Sequence, residues 1–449
     1  MLNFETILFR PVTDKQIRIV IIVTIAFLLI DTMINNVSDF LIPQTTSKWG
    51  ISFFVVLGVV YGVSQYFIFR FVWWKTKYVR LKSSLIDGLL KVVIVSQYAL
   101  LAILAITIFQ ILFLSHYNTT LLIWLTITSF LLSISILGIL ARQFVVWYRS
   151  YKRNSFVIIC YTLAFVIIAM TFSIALILDM YNFSTKQGIV TPNSKVNFPD
   201  YDTAGRTIVV LHYIYDYSDL VSFVLIWAAT SLLLLHYRKR LGLLKFWIII
   251  ALPLIYYLST FVDIIGVYEP NSDTERYYYY LYTSLNSTAG GIMFGIAFIV
   301  IAKRIENQSI KGYMTLASYG FIFLYISTQI TLVACSYPPF GMATLSFLGL
   351  SSFLLLTGLY STAISLSQHA ELRRSIRNSI EDQHSSLIDH IGMSEVQRDI
   401  DRKVTPLIQK YADELNERSS IDVSISDKEV KQYIKEILAD LHKKTIPER

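Results

Sequence analysis

Apolar residues along this chain come in long runs broken by short polar or basic segments, and the rhythm holds until about residue 366. One helix needs about 20 consecutive apolar residues to cross the hydrocarbon core of a bilayer. On that measure the runs predict spans at about 19–36, 51–72, 89–114, 120–146, 155–180, 218–236, 244–266, 283–302, 313–336 and 341–366. The expected fold is all-α: a polytopic transmembrane bundle of about ten spans over residues 1–366, then a helical cytoplasmic tail over 367–449. Ahead of the sixth run stands a shorter apolar stretch, Ile208 to Tyr215, within 207–217. Its eight residues cannot cross a membrane, which leaves a strand, an interfacial segment or the start of a long, tilted span six.

The tail has a different pattern. Leu372, Ile376, Ile380, Leu387 and Ile391 recur at helical spacing and predict that the tenth helix runs on beyond the membrane, up to a break at Gly392. Ser394-Glu-Val-Gln397 reads as a capping box for a helix with Val396, Ile400, Val404 and Leu407 on one face, divided or kinked at Pro406. Ser426-Asp-Lys-Glu429 opens a second amphipathic helix carrying Val430, Ile434, Ile437 and Leu441. Faces this small make no self-sufficient core, so they call for a second copy or a cytoplasmic partner.

Charge then orients the bundle. Lysine and arginine are retained on the cytoplasmic side of short loops. The N-terminus and four alternate loops hold twenty of them, while the five intervening segments hold only Lys48, Lys186, Lys195, Arg206 and Arg276. Both termini are therefore expected in the cytoplasm of a cell-membrane protein. Residues 1–366 carry a net +10 and the tail −2, so the basic balance belongs to membrane loops and implies no nucleic-acid partner. Glu5, Arg10, Asp14, Lys15 and Arg18 leave no room for a cleavable leader before the first run. Trp73, Trp74, Trp147, Tyr148 and the run Tyr277 to Tyr280 are expected as interfacial anchors.

With 54% apolar and 16% charged residues, an ordinary soluble globule is excluded. The lipid bilayer is the partner that the composition implies. Cys160 and Cys335 fall at opposite ends of their spans, too far apart to bridge. No zinc spacing, phosphate loop or nucleophile elbow occurs, so neither a metal, a cofactor nor an enzymatic activity is expected. His384 and His390 read as solvent-facing.

Ionisable groups inside a membrane are functional candidates because burying charge is unfavourable. Asp31, Asp179 and Asp263 are the ligand or ion candidates, with Asp31 and Asp179 expected close enough to the outer interface to be wet and Asp263 deeper. Gln65, Gln97, Gln110, Asn286 and Gln329 read as amides that tie helices together. Gly291 and Gly295, one turn apart, predict a close helix–helix contact.

Two resemblances add to this. Tyr337-Pro-Pro-Phe-Gly341, Ser346-Phe-Leu-Gly-Leu-Ser-Ser352, Gly358-Leu-Tyr-Ser361 and Leu372-Arg-Arg-Ser-Ile-Arg377 resemble a family of uncharacterised archaeal multi-spanning membrane proteins. That resemblance implies architecture and no catalytic residue. The segment Val404-Thr-Pro-Leu407, after a polytopic region, resembles the phosphoacceptor box of membrane sensor histidine kinases. Asp401 stands where that family has its phosphorylated histidine, and the 42 residues after Leu407 are too few for an ATP-binding domain. The resemblance implies a membrane sensor region without the kinase. The leading expectation is a sensory or scaffolding membrane protein whose tail docks a partner; the alternative is a secondary transporter using its polar intramembrane residues.

Overall fold

The computed structural model describes residues 12–38, 41–80, 83–150, 156–184, 188–194, 205–236, 238, 242–259, 272–303, 305, 307–329, 336–368, 391–392, 394–395 and 398. Among the described residues, ten long helices occupy the positions of the ten apolar runs. They are α1 (Asp14–Asn36), α3 (Lys48–Lys75), α5 (Ser84–Leu114), α6 (Thr119–Ser150), α7 (Phe156–Ser184), α8 (Arg206–His236), α9 (Leu243–Ser259), α10 (Asp273–Ala302), α11 (Gln308–Thr328) and α12 (Met342–Gln368). Single turns α2 (Ile42–Thr45) and α4 (Lys77–Arg80) flank α3. Seven of the helices, α1, α3, α5, α6, α7, α8 and α12, are long and apolar enough to cross a bilayer, which makes this a multi-pass membrane protein.

Local chemistry sets where several helices begin. Thr13 and Gln16 form a reciprocal capping box on α1, and Ser47, Ser272 and Asn307 accept bonds from free N–H groups of α3, α10 and α11. Two-residue strands β1 (Tyr117–Asn118) and β2 (Ile189–Val190) pair antiparallel, a small β element that an all-α reading does not contain. Residues 207–217 are helical and open α8, so the question left by the sequence resolves as a long sixth helix.

Packing divides the helices into a ring and a centre. α1, α3, α5, α6, α7, α8 and α10 each contact the next around a closed ring, with α9 outside against α8 and α10. The hairpin of α11 and α12 fills the middle. α12 touches α1, α3, α5 and α6 directly, and on the far side α7 and α8 reach α11 through aromatic rings: Phe165 and Tyr161 on Phe321, Phe223 on Tyr325. Ring helices keep exposed apolar faces, for example Ile22, Val95, Phe113 and Leu235, as lipid-facing surfaces do. Among the described residues, no large apolar side chain of α11 or α12 is exposed.

Small residues bring the central pair together. A Cβ on Gly320 would lie 2.9 Å from Leu355 Cα, and one on Gly358 2.8 Å from Ala317 Cα, so each glycine admits the backbone of the other helix. Gly291 and Gly295 of α10 play the same part against α11, facing Tyr325 and Ile322, and Ser318 Oγ donates to the Gly295 carbonyl at 2.7 Å.

Candidate functional site

The N-terminal end of α12 is built on a carboxylate from another helix. Gly341 adopts φ 92°, which turns the chain from the Ser336–Phe340 segment into α12. Its N–H then donates to Asp31 Oδ1 at 2.8 Å, while Thr344 donates its N–H and hydroxyl to Asp31 Oδ2 at 3.1 and 2.8 Å. Asp31 thus caps α12 from α1, where a helix N-terminus favours negative charge. The turn before it is equally anchored. Tyr117 donates to the Ser336 carbonyl at 2.7 Å, Tyr337 to that of Ile111 at 3.3 Å, and Phe340 sits edge-on to Phe54 at 5.5 Å.

Asp179 has the opposite surroundings. It is fully buried, and among the described residues neither carboxylate oxygen has a hydrogen-bond partner. The expectation that Asp31 and Asp179 are wet is therefore corrected: both are 0% exposed. Each sits five residues from the end of its helix, a position that sequence alone places near water. Tertiary structure removes the water. The Ser336–Gly341 turn and α12 cover Asp31, and α8, starting at Arg206, extends over the C-terminal end of α7, where Leu178 meets Ile208, Leu211 and Tyr215. Asp263 lies outside the described residues.

A further carboxylate, Asp219, was missed because the sixth span was expected to start at residue 218. The helix starts at Arg206, so Asp219 sits about 20 Å along it at 1.5 Å per residue. Tyr257 of α9 donates a short hydrogen bond to Asp219 Oδ2 and stacks on Phe223 with ring centroids 3.6 Å apart. One helical turn earlier, Asp216 lies 3.7 Å from His212 Nε2. A cavity of about 10 Å³, room for about one water molecule, separates Asp219 from Thr171, Tyr325 and Thr328. The signal available in sequence was the i, i+4, i+7 row of His212, Asp216 and Asp219 on one helical face.

Buried amides join the ring to the centre. Gln65 Nε2 and Tyr61 OH both donate to Gln97 Oε1, at 2.5 and 3.2 Å, and Gln97 Nε2 donates to the Ser346 carbonyl at 2.9 Å, linking α3, α5 and α12. Asn286 Nδ2 donates to Ser259 Oγ at 2.9 Å between α10 and α9. Gln110 accepts from the Asn118 N–H, and Gln329 follows the last turn of α11.

At the opposite end, Trp147 is fully buried, in contrast to the interfacial position expected for it. Its ring stacks on Tyr360 of α12 at 6.2 Å, and tail residues cover its edge. Trp147 Nε1 donates to Glu395 Oε2 at 3.1 Å, and Ser394 Oγ donates to the Trp147 carbonyl at 2.8 Å. Ile391 is buried in the same core, and Ile391, Gly392, Ser394 and Glu395 are all helical. Val396, Ile400, Val404 and Leu407 lie outside the described residues. No family model, curated protein or solved structure matches the chain.

Proposed function

We propose that this protein is a membrane sensor or scaffold in which α12 carries the state of the outer end of the bundle to the tail. The observation behind this is the enclosure of α12, which is buried along its whole span from Met342 to Ser365. Asp31 holds its first turn, and Tyr360 near its other end shares Trp147 with Ser394 and Glu395 of the tail. A change at the Ser336–Gly341 turn has no lipid-facing surface of α12 in which to dissipate. In this proposal the bundle has ten spans, both termini are cytoplasmic, and Val396, Ile400, Val404 and Leu407 dock a second copy or a cytoplasmic protein. Native-state hydrogen exchange tests the coupling. Asp31→Asn is expected to speed exchange in residues 391–398; unchanged exchange there removes the proposal's basis.

A second reading, secondary transport, draws on the pairing of Asp219 with Tyr257 and on the unpartnered Asp179, because intramembrane carboxylates commonly mark ion or proton paths. Deleting residues 367–449 separates the two. Uptake into proteoliposomes survives that deletion if the protein is a carrier and is abolished by Asp219→Asn, whereas tail-dependent output is lost with the tail.

A further inference from the structure

We infer that the basic end of the bundle carries a binding site for one anionic phospholipid, drawn from the leaflet it faces. A groove of about 450 Å³ opens there between the start of α1, the ends of α3 and α10, and the start of α11. Arg18, Lys75, Lys303 and Lys311 line it, with Asp14 as the only carboxylate on its wall among the described residues. Deeper in, the lining turns apolar, with Ile21, Ile25, Ile299 and Ile322.

The cations are placed at the groove by the fold and come from three separate basic segments of the sequence. Lys75 Nζ sits 3.4 Å from Asp14 Oδ1 and 5.7 Å from the centre of the Phe71 ring. Its stem lies over Gly312, where a Cβ would come within 2.9 Å of Lys75 Cε. Among the described residues, one carboxylate against four cations leaves an excess of positive charge above an apolar wall. An anionic phospholipid matches both halves: phosphate at the rim, acyl chain along the isoleucines. A soluble anion makes no use of the apolar wall. A zwitterionic lipid brings an ammonium group to a rim already in cationic excess.

The test is native mass spectrometry of the full chain released from micelles holding equal amounts of phosphatidylglycerol and phosphatidylcholine. The wild type is expected to retain one phosphatidylglycerol in preference to phosphatidylcholine. Lys75→Gln and Lys311→Gln should each lower that preference about fivefold, the equivalent of ~1 kcal/mol per cation near a membrane surface. Ile25→Trp leaves every charge in place and fills the groove, and it should remove the retained lipid. Lys91→Gln takes a cation from the same end of the bundle but outside the groove, and it should change nothing. Equal retention of both lipids by the wild type overturns the site, as does equal loss in Lys91→Gln and Lys75→Gln. Displacement of the lipid by millimolar inorganic phosphate would assign the groove to a soluble anion and overturn the lipid.

Discussion

Asp31 and Asp179 are the same residue at the same distance from the end of an apolar helix, and both are fully buried. Around Asp31, three donors from Gly341 and Thr344 converge on the carboxylate. Around Asp179 there are none among the described residues. The α1–α12 contact therefore uses a buried acid to fix where a helix begins, whereas α7 holds a buried acid with its hydrogen-bonding capacity unspent among the described residues. Burial alone does not tell a structural carboxylate from a functional one; the convergence of donors does.

The sharpest way to break this comparison is Asp31→Leu. It leaves two buried N–H groups without their acceptor, while the Thr344 hydroxyl keeps the Leu28 carbonyl at 3.3 Å, so stability should fall by about 2–4 kcal/mol, read as a lower melting temperature of the detergent-solubilised protein. A smaller change of opposite sign is expected at the other acid. Asp179→Leu replaces unpartnered oxygens with an apolar side chain at a fully buried position, and should raise stability by ~1–2 kcal/mol. A fall in melting temperature there would show that Asp179 has a partner in the native membrane.

Two further substitutions refine the contrast. Tyr257→Phe keeps the ring stacked on Phe223 and removes the donor to Asp219, making Asp219 resemble Asp179; a loss of about 1 kcal/mol is expected by thermal or denaturant unfolding. Trp147→Phe should have the smallest effect on the bundle, under about 1 kcal/mol, because Phe keeps the apolar ring beside Tyr360. Its consequence is local: without the Nε1 donor to Glu395, limited proteolysis should cut the tail faster while the membrane helices stay protected.

Helix type and position were legible in the chain, because a helix crossing lipid must satisfy its own backbone and so needs one unbroken apolar run. Thus α3, α5 and α6 appear within a few residues of where hydropathy puts them. The start of α8 was not legible, since His212, Asp216 and Asp219 lower the apolar signal over turns that are helical. That same polarity concealed Asp219, paired with Tyr257 from a separate helix. Nor does periodicity reveal that Trp147, apolar and at a helix end, is covered by Ser394 and Glu395 some 250 residues away. Sequence by itself determined an apolar, multi-pass, helical protein with its cations gathered in alternate loops, because hydrophobic length and loop charge are local properties of the chain. Only the tertiary structure decided that α12 is the enclosed helix, that Asp31 caps it and that Asp179 stands without a partner. Lipid and protein interior are equally apolar to a hydropathy pattern, and which helix faces which depends on small residues and donors brought together from distant parts of the chain.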